Sequence, residues 1–160
     1  MMLRADDITP TPWKNGGGIS RDLLFWPAAD AWCVRISLAD ITRDGPFSPY
    51  PGVKRWFAVV EGDGVELQFA AGSRLQRRGD APLHFDGADA PGCRLLSGMT
   101  RDLNLMLQGG VRGTLQQGAR FDEDWPVRGR YDPATRTLHW ELPAGPLEAA
   151  EDSLWIGIAP

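Results

Sequence analysis

The sequence predicts a single all-β domain, a sandwich or barrel of short antiparallel strands, and three observations carry that expectation. Nineteen glycines and thirteen prolines punctuate the 160 residues, which leaves little room for long helices. Between these breaks lie runs that alternate apolar and polar residues with period two, the spacing of a strand with one buried face. The runs are short and recur to the end of the chain, as they do in sandwiches and barrels. No composition break marks a linker, so residues 1–160 are taken as one domain. Two small barrels sharing one core would leave the same pattern.

The clearest run, Trp32-Cys33-Val34-Arg35-Ile36-Ser37-Leu38, sets Trp32, Val34, Ile36 and Leu38 on one face and Cys33, Arg35 and Ser37 on the other. Asp44-Gly45-Pro46 breaks it, and Pro49, Pro51 and Gly52 extend the irregular stretch. Arg55 to Glu61 and Val65 to Phe69 flank Gly62-Asp63-Gly64 and are expected to form a hairpin. Further strands are expected at Pro82 to Phe85, Cys93 to Leu96 and Asp102 to Gln108. In the last, Leu103, Leu105 and Leu107 face one way while Asp102, Asn104, Met106 and Gln108 face the other. Thr137 to Leu142 and Leu154 to Ile158 complete the set. Beyond Phe121 little else is informative, and Trp125, Trp140 and Trp155 read as core or edge aromatics.

A net charge of −4 argues against nucleic acid as a partner, because phosphate binding needs concentrated Lys and Arg. The one tight basic group, Arg74, Arg77 and Arg78, reads as a solvated turn. No apolar run reaches signal-peptide length or the ~20 residues of a membrane helix, which implies a cytoplasmic protein without a membrane partner. Cys33 and Cys93 sit in hydrophobic segments and read as small buried hydrophobes.

Chemistry is concentrated near the start. Pro12-Trp13-Lys14-Asn15-Gly16-Gly17-Gly18 places a flat ring, a cation and an amide beside three glycines. Such a run is tolerated where backbone takes positive φ or approaches another group closely. Only His84 and His139 are present, with no metal-ligand spacing, so neither a metal nor another cofactor is expected. No nucleophile elbow, Walker loop or dinucleotide fingerprint occurs. The remaining polar groups are Arg55, Asp44 and Ser48 around Phe47, and Asp102 with Asn104 on one strand face.

Taken jointly, these segments resemble the HutD family, which includes the Ves proteins. The resemblance rests on residues 12–18 with Ser20-Arg21-Asp22, on Asp44-Gly45-Pro46-Phe47-Ser48-Pro49-Tyr50-Pro51-Gly52, on Arg55, on Glu61-Gly62-Asp63-Gly64 and on Asp102-Leu103-Asn104-Leu105-Met106, in that order. It implies a cupin-like (RmlC-type) antiparallel β-barrel, a compact bicupin with a second partial barrel, lacking the metal-binding histidines of enzymatic cupins. It also implies binding of a histidine-degradation intermediate, urocanate or a formylated glutamate, in a regulatory or flux-limiting role. The chain departs from the family in having Lys54 where an acid is usual, and Gln108-Gly109-Gly110 where many members carry two arginines.

The expected function is therefore a metal-free cupin that binds a small organic acid. Arg55 pairs with its carboxylate and Lys14 adds charge, Asn15 and Asn104 supply directional hydrogen bonds, Trp13 and Phe47 form the walls, and Ser48 is a further ligand-binding residue. Asp44 and Asp102 orient the cations or accept from the ligand. The competing expectations are a metal-independent hydrolase or isomerase with Asp44 or Asp102 as base, and a protein-interaction module. No catalytic residue is assigned. Exposed strand edges leave room for a homodimer.

Overall fold

The computed structural model describes residues 1–160, and in it a central sheet is buried on both faces. In chain order its strands begin with β1 (Met2–Arg4), β2 (Thr11–Pro12), β3 (Gly18–Trp26), β4 (Val34–Ile41), β5 (Gly45–Pro46) and β6 (Lys54–Glu61). There follow β7 (Val65–Phe69), β8 (Gly72–Gln76), β9 (Leu83–Asp86), β10 (Gly92–Leu95), β11 (Thr100–Leu107) and β12 (Arg112–Gln117). The last are β13 (Arg120–Phe121), β14 (Val127–Asp132), β15 (Thr137–Trp140), β16 (Leu147–Glu148) and β17 (Leu154–Ala159). No helix is long and apolar enough to cross a membrane.

The central sheet has the order β2-β3-β4-β11-β6-β9, and its strands pair antiparallel throughout. Alternation divides each strand between two interiors. Val34, Ile36 and Leu38 of β4, Trp56, Ala58 and Val60 of β6, and Leu103, Leu105 and Leu107 of β11 face the sheet β1-β15-β14-β17-β12. There they meet Leu115, Tyr131, Leu138, Trp140, Leu154, Ile156 and Ile158 in a core of nineteen buried residues. Each fully buried aliphatic side chain contributes about 1.5–3 kcal/mol, so this interior carries most of the hydrophobic stabilisation. On the opposite face Ile41, Phe57, Val59 and Phe85 pack with Phe47, and with Val65, Leu67 and Cys93 of the sheet β5-β10-β7-β8. That second core has only eight residues, and polar side chains occupy the rest of the face.

The pairings leave all these sheets open. The barrel expected from the resemblance is not closed by strand pairing, and β2 and β5 end their sheets with Pro12 and Pro46, which have no N–H to extend a ladder. The hairpin expected around Gly62-Asp63-Gly64 does not form either. β6 pairs with β11 and β9, whereas β7 pairs with β10 and β8. Gly62 and Gly64 have φ of +89° and +102° and turn the chain from one sheet into another. A Cβ on Gly62 would lie 2.5 Å from the Met99 carbonyl oxygen, so the corner admits only glycine.

The expected strands otherwise appear within a few residues of their places. The fourth starts at Val34 rather than Trp32, and β15 stops at Trp140 because Glu141 takes φ +58°. Nine strands lie outside the expected set: β1, β2, β3, β5, β8, β12, β13, β14 and β16. The alternation of β3 is hidden by a bulge between Asp22 and Leu24. β8 is an exposed edge. β14 buries Arg128, whose guanidinium donates to the carbonyls of Pro143, Phe121 and Gly145 beneath the small β13–β16 sheet.

An ionic cluster joins the two sides of the larger core at its edge. Arg101 donates to both carboxylate oxygens of Asp40 and, at 3.1 Å, to Glu61. Glu61 also accepts from Arg136 at 3.0 Å, and Arg21 reaches Asp40 at 3.4 Å. Burial pushes the Asp40 carboxyl up, but the Arg101 fork and Arg21 outweigh it and hold the group below the ordinary carboxylate range.

Candidate functional site

The polar face of the central sheet is the floor of a cavity of about 510 Å³. Cross-strand register arranges that floor in rows. Ser20, Ala39, Asp102 and Val59 form one, and Asp22, Ser37, Asn104 and Phe57 the next. A third runs Phe25, Arg35, Met106, Arg55, Phe85. Trp13, Lys14 and Asn15 on one side, and Phe47, Ser48 and Tyr50 on the other, wall the space above.

The glycine run explains how the first wall is held. Gly16 has φ +71°. A Cβ on Gly18 would strike the Asp40 carbonyl oxygen. The carbonyl of Gly17 accepts from the Thr42 and Arg43 amides at 2.9 and 3.2 Å, and that of Gly16 from the Arg43 guanidinium. Asn15 accepts from the Gly17 amide at 2.8 Å and donates to Pro46 at 3.4 Å, which ties the loop to the opposite wall. Trp13 donates from Nε1 to Ser20 at 2.7 Å and stands edge-on to Phe47, with ring centroids 6.5 Å apart.

Arg55 is 5% exposed and lies 5.1–5.5 Å from the centroids of Phe47, Tyr50 and Phe85. Its Nη2 donates to Asn104 Oδ1 at 3.2 Å, while Nε and Nη1 are buried without a partner. Burial pulls its pKa down to about 10 even though the charge of Asp102 acts the other way. Asn104 in turn donates to Asp102 Oδ2, and Asp102 Oδ1 is buried and unpartnered. Asp102 is 1% exposed, and desolvation raises its pKa to about 8 against the hydrogen bond from Asn104 and the charge of Arg55. Arg35 differs from Arg55. It donates to Asp22 at 2.8 Å and to Tyr50 at 3.3 Å, and these partners raise its pKa despite burial.

Of the residues the sequence singles out, Trp13, Lys14, Asn15, Phe47, Ser48, Arg55, Asp102 and Asn104 line this cavity. Asp44 does not. Its Oδ1 accepts the Leu95 amide at 2.8 Å, fastening the segment before β5 to β10. Sequence reasoning passed over Asp22, Arg35, Ser37, Tyr50 and Met106, which also line the space. The signal for Arg35 and Ser37 was their alternation against Val34 and Ile36, which a half-buried strand would have turned to solvent. The histidines lie elsewhere: His84 stacks on Trp56 at 3.9 Å and bonds the Arg55 carbonyl, and His139 sits in β15. A second cavity of about 500 Å³ touches Glu61, Arg78, Gln117 and Asp152, and both Glu61 oxygens there are already engaged.

The HutD family model matches residues 5–132. An uncharacterised 21.2 kDa protein from the region 3′ of hutC in Pseudomonas putida is 38% identical over 108 residues, 66% of this chain and 56% of its own length. Protein Ves of Citrobacter koseri is 34% identical over 105 residues, 62% of this chain and 55% of its own. The chain thus spans about half the length of these curated relatives. Among solved structures, HutD from Pseudomonas fluorescens SBW25 aligns with a TM-score of 0.83 at 23% identity, over 99% of this chain and 97% of that one. A conserved protein of unknown function from Pseudomonas aeruginosa PAO1 aligns at 0.77 and 24% identity, over 99% and 96%. Likeness at that identity is one of fold.

Proposed function

Because the chain belongs to the HutD family, we propose that its main cavity binds a small carboxylate-bearing metabolite, urocanate or a formylated glutamate, in a regulatory or flux-limiting role. One observation supports this above the others. Arg55 is a buried cation with two unpartnered nitrogens on the floor of an aromatic-walled cavity. A buried donor left unsatisfied costs about 1–3 kcal/mol, more when charged, and an incoming carboxylate relieves that cost. Lys14 at the exposed mouth adds attraction for an anion. The lining offers guanidinium, ammonium and amide donors, groups suited to holding an organic anion. A cupin-like fold, with the chain as a compact bicupin, is part of this proposal. The two cores on opposite faces of the central sheet, each covered by a further sheet, favour it.

The alternative reading, a hydrolase or isomerase, keeps Asp102 as its base, since Asp44 is engaged outside the cavity. A thermal-shift screen with urocanate, N-formylglutamate and related acids tests the binding reading. A ligand at a hundredfold its Kd adds about 2.7 kcal/mol of stability. A raised midpoint that vanishes in Arg55→Ala is expected, and no shift with any acid would sink the reading. Turnover of the bound acid, lost in Asp102→Asn, would replace it with the enzymatic one.

A further inference from the structure

We propose that Asp102 takes part in recognition as a neutral carboxylic acid donating from Oδ1, so that the cavity selects organic anions carrying a second, neutral hydrogen-bond acceptor beside the carboxylate. The inference rests on the organic-acid reading of the cavity and deepens it. The acceptor is of the kind supplied by an acyl oxygen or an unprotonated ring nitrogen.

The argument starts from Asn104. A guanidinium has no acceptor atom, so the bond from Arg55 Nη2 fixes the amide oxygen of Asn104 toward Arg55. The amide nitrogen is thereby turned to Asp102, where it donates to Oδ2. With Oδ2 committed as acceptor, a proton on Asp102 belongs on Oδ1, the oxygen left buried and without a partner. Arg55 thus orients both groups that meet the ligand, its own free N–H groups and the Asp102 hydroxyl.

The surroundings favour that proton. Asp102 lies mid-sheet between Ala39 of β4 and Val59 of β6. The groups acting on it are Asn104 from its own strand, Arg55 from β6 and Asp40 from β4, and its charge in turn reaches the Cys93 thiol of β10. Asp22, Arg35, Lys14 and Tyr50 share the cavity. Arg55 alone among the nearest is cationic, and the hydrogen bond it makes goes to Asn104. Full burial and the Asp40 carboxylate, itself held ionised by Arg101, both oppose ionisation. An ionised Asp102 would repel the ligand anion and demand a donor, so the protonation state decides which ligands enter.

The test uses the full chain with two probes. N-formylglutamate carries an acyl oxygen that accepts, and glutamate replaces it by an ammonium that only donates. Calorimetry should show tighter binding of N-formylglutamate, weakening about tenfold from pH 6.5 to pH 9 as the protonated fraction falls. Asp102→Asn, which cannot ionise, should lose that pH dependence. A pH-flat affinity in the wild type, or preference for glutamate, overturns the proposal while leaving organic-acid binding intact. Carboxyl-carbon NMR supplies the independent arm. The signal missing in Asp102→Asn should titrate near pH 8, and a midpoint below about 5 overturns the neutral acid whether or not an acid binds. If neither probe nor any other acid binds while that signal still titrates near 8, the organic-acid reading falls and the recognition role falls with it.

Discussion

Arg35 and Arg55 stand opposite one another across Met106, two guanidiniums in a single cross-strand row of the cavity floor. Their chemistry is not equivalent. Arg35 has its charge answered by Asp22 and its second donor taken by Tyr50, whereas Arg55 is stacked among rings with open nitrogens. One is fully engaged by its neighbours and the other keeps two nitrogens without a partner.

That difference predicts how the two will respond to removal. Arg55→Ala should weaken binding of urocanate or N-formylglutamate by about 2 kcal/mol or more, the scale of a lost buried charge pair. Arg35→Ala should cost less affinity but lower Tm, because it strands the half-buried Asp22 carboxylate. Calorimetry and thermal melting on the two variants separate the effects, and equal losses of affinity would contradict the assignment.

Stability should respond to Asp102 in the opposite sense to most acids. Its folded pKa of about 8 lies above the unfolded value near 4. Between those limits the native state binds more protons than the unfolded chain, so this group's contribution is full below about pH 4 and is lost as pH rises through 8. Asp102→Asn should therefore raise Tm, by about 4 °C or more at pH 8.5, and by much less at pH 5. Melts of the two proteins across that range check the sign, and a gain confined to acid pH would refute it.

The Asp40–Arg101 pair should behave conventionally. Arg101→Ala leaves a buried carboxylate with only the longer contact from Arg21 and should cost about 3 kcal/mol. Asp40 has a depressed pKa, so the stabilisation it brings is present above about pH 4 and fades as pH falls through the folded value. Denaturant titrations at pH 7 and pH 3 should show the Arg101→Ala deficit shrinking in acid.

Gly18→Ala tests the glycine run. The added methyl group meets the Asp40 carbonyl oxygen across the β3–β4 ladder, where neither backbone can withdraw cheaply. A loss of about 2 kcal/mol is expected, with a matching fall in Tm. Gly52→Ala provides the contrast, since open space surrounds that position and only its φ of +79° opposes the change.

What the sequence disclosed, and what it withheld, follows from what periodicity can report. The alternation in β4 and β11 sorted Val34, Ile36 and Leu38 from Arg35 and Ser37, and Leu103, Leu105 and Leu107 from Asp102, Asn104 and Met106. It could not say that the polar side was also enclosed, because a cavity floor and a solvated face read alike. Hence Arg35 and Ser37 are not singled out by the sequence, although they line the same cavity as Arg55. The β6–β7 hairpin misled because a Gly-Asp-Gly turn between two strand-forming runs has the same local chemistry whether the strands pair or part. Asp44 shared its segment with Phe47 and Ser48, yet its carboxylate turned aside to cap Leu95. Sequence proximity there stood in for spatial convergence.

The two-faced central sheet has a consequence for how this chain can change. Inserting or deleting one residue within Thr100–Leu107 would exchange leucines for Asp102, Asn104 and Met106, driving a carboxyl group and an amide into hydrocarbon while stripping the cavity of its polar floor. A change of length in this strand is therefore far more disruptive than a single substitution in it. The cavity's lining can be altered without disturbing the ladder by substitution at alternate positions and by remodelling of the two wall loops, where additions do not propagate into the strands.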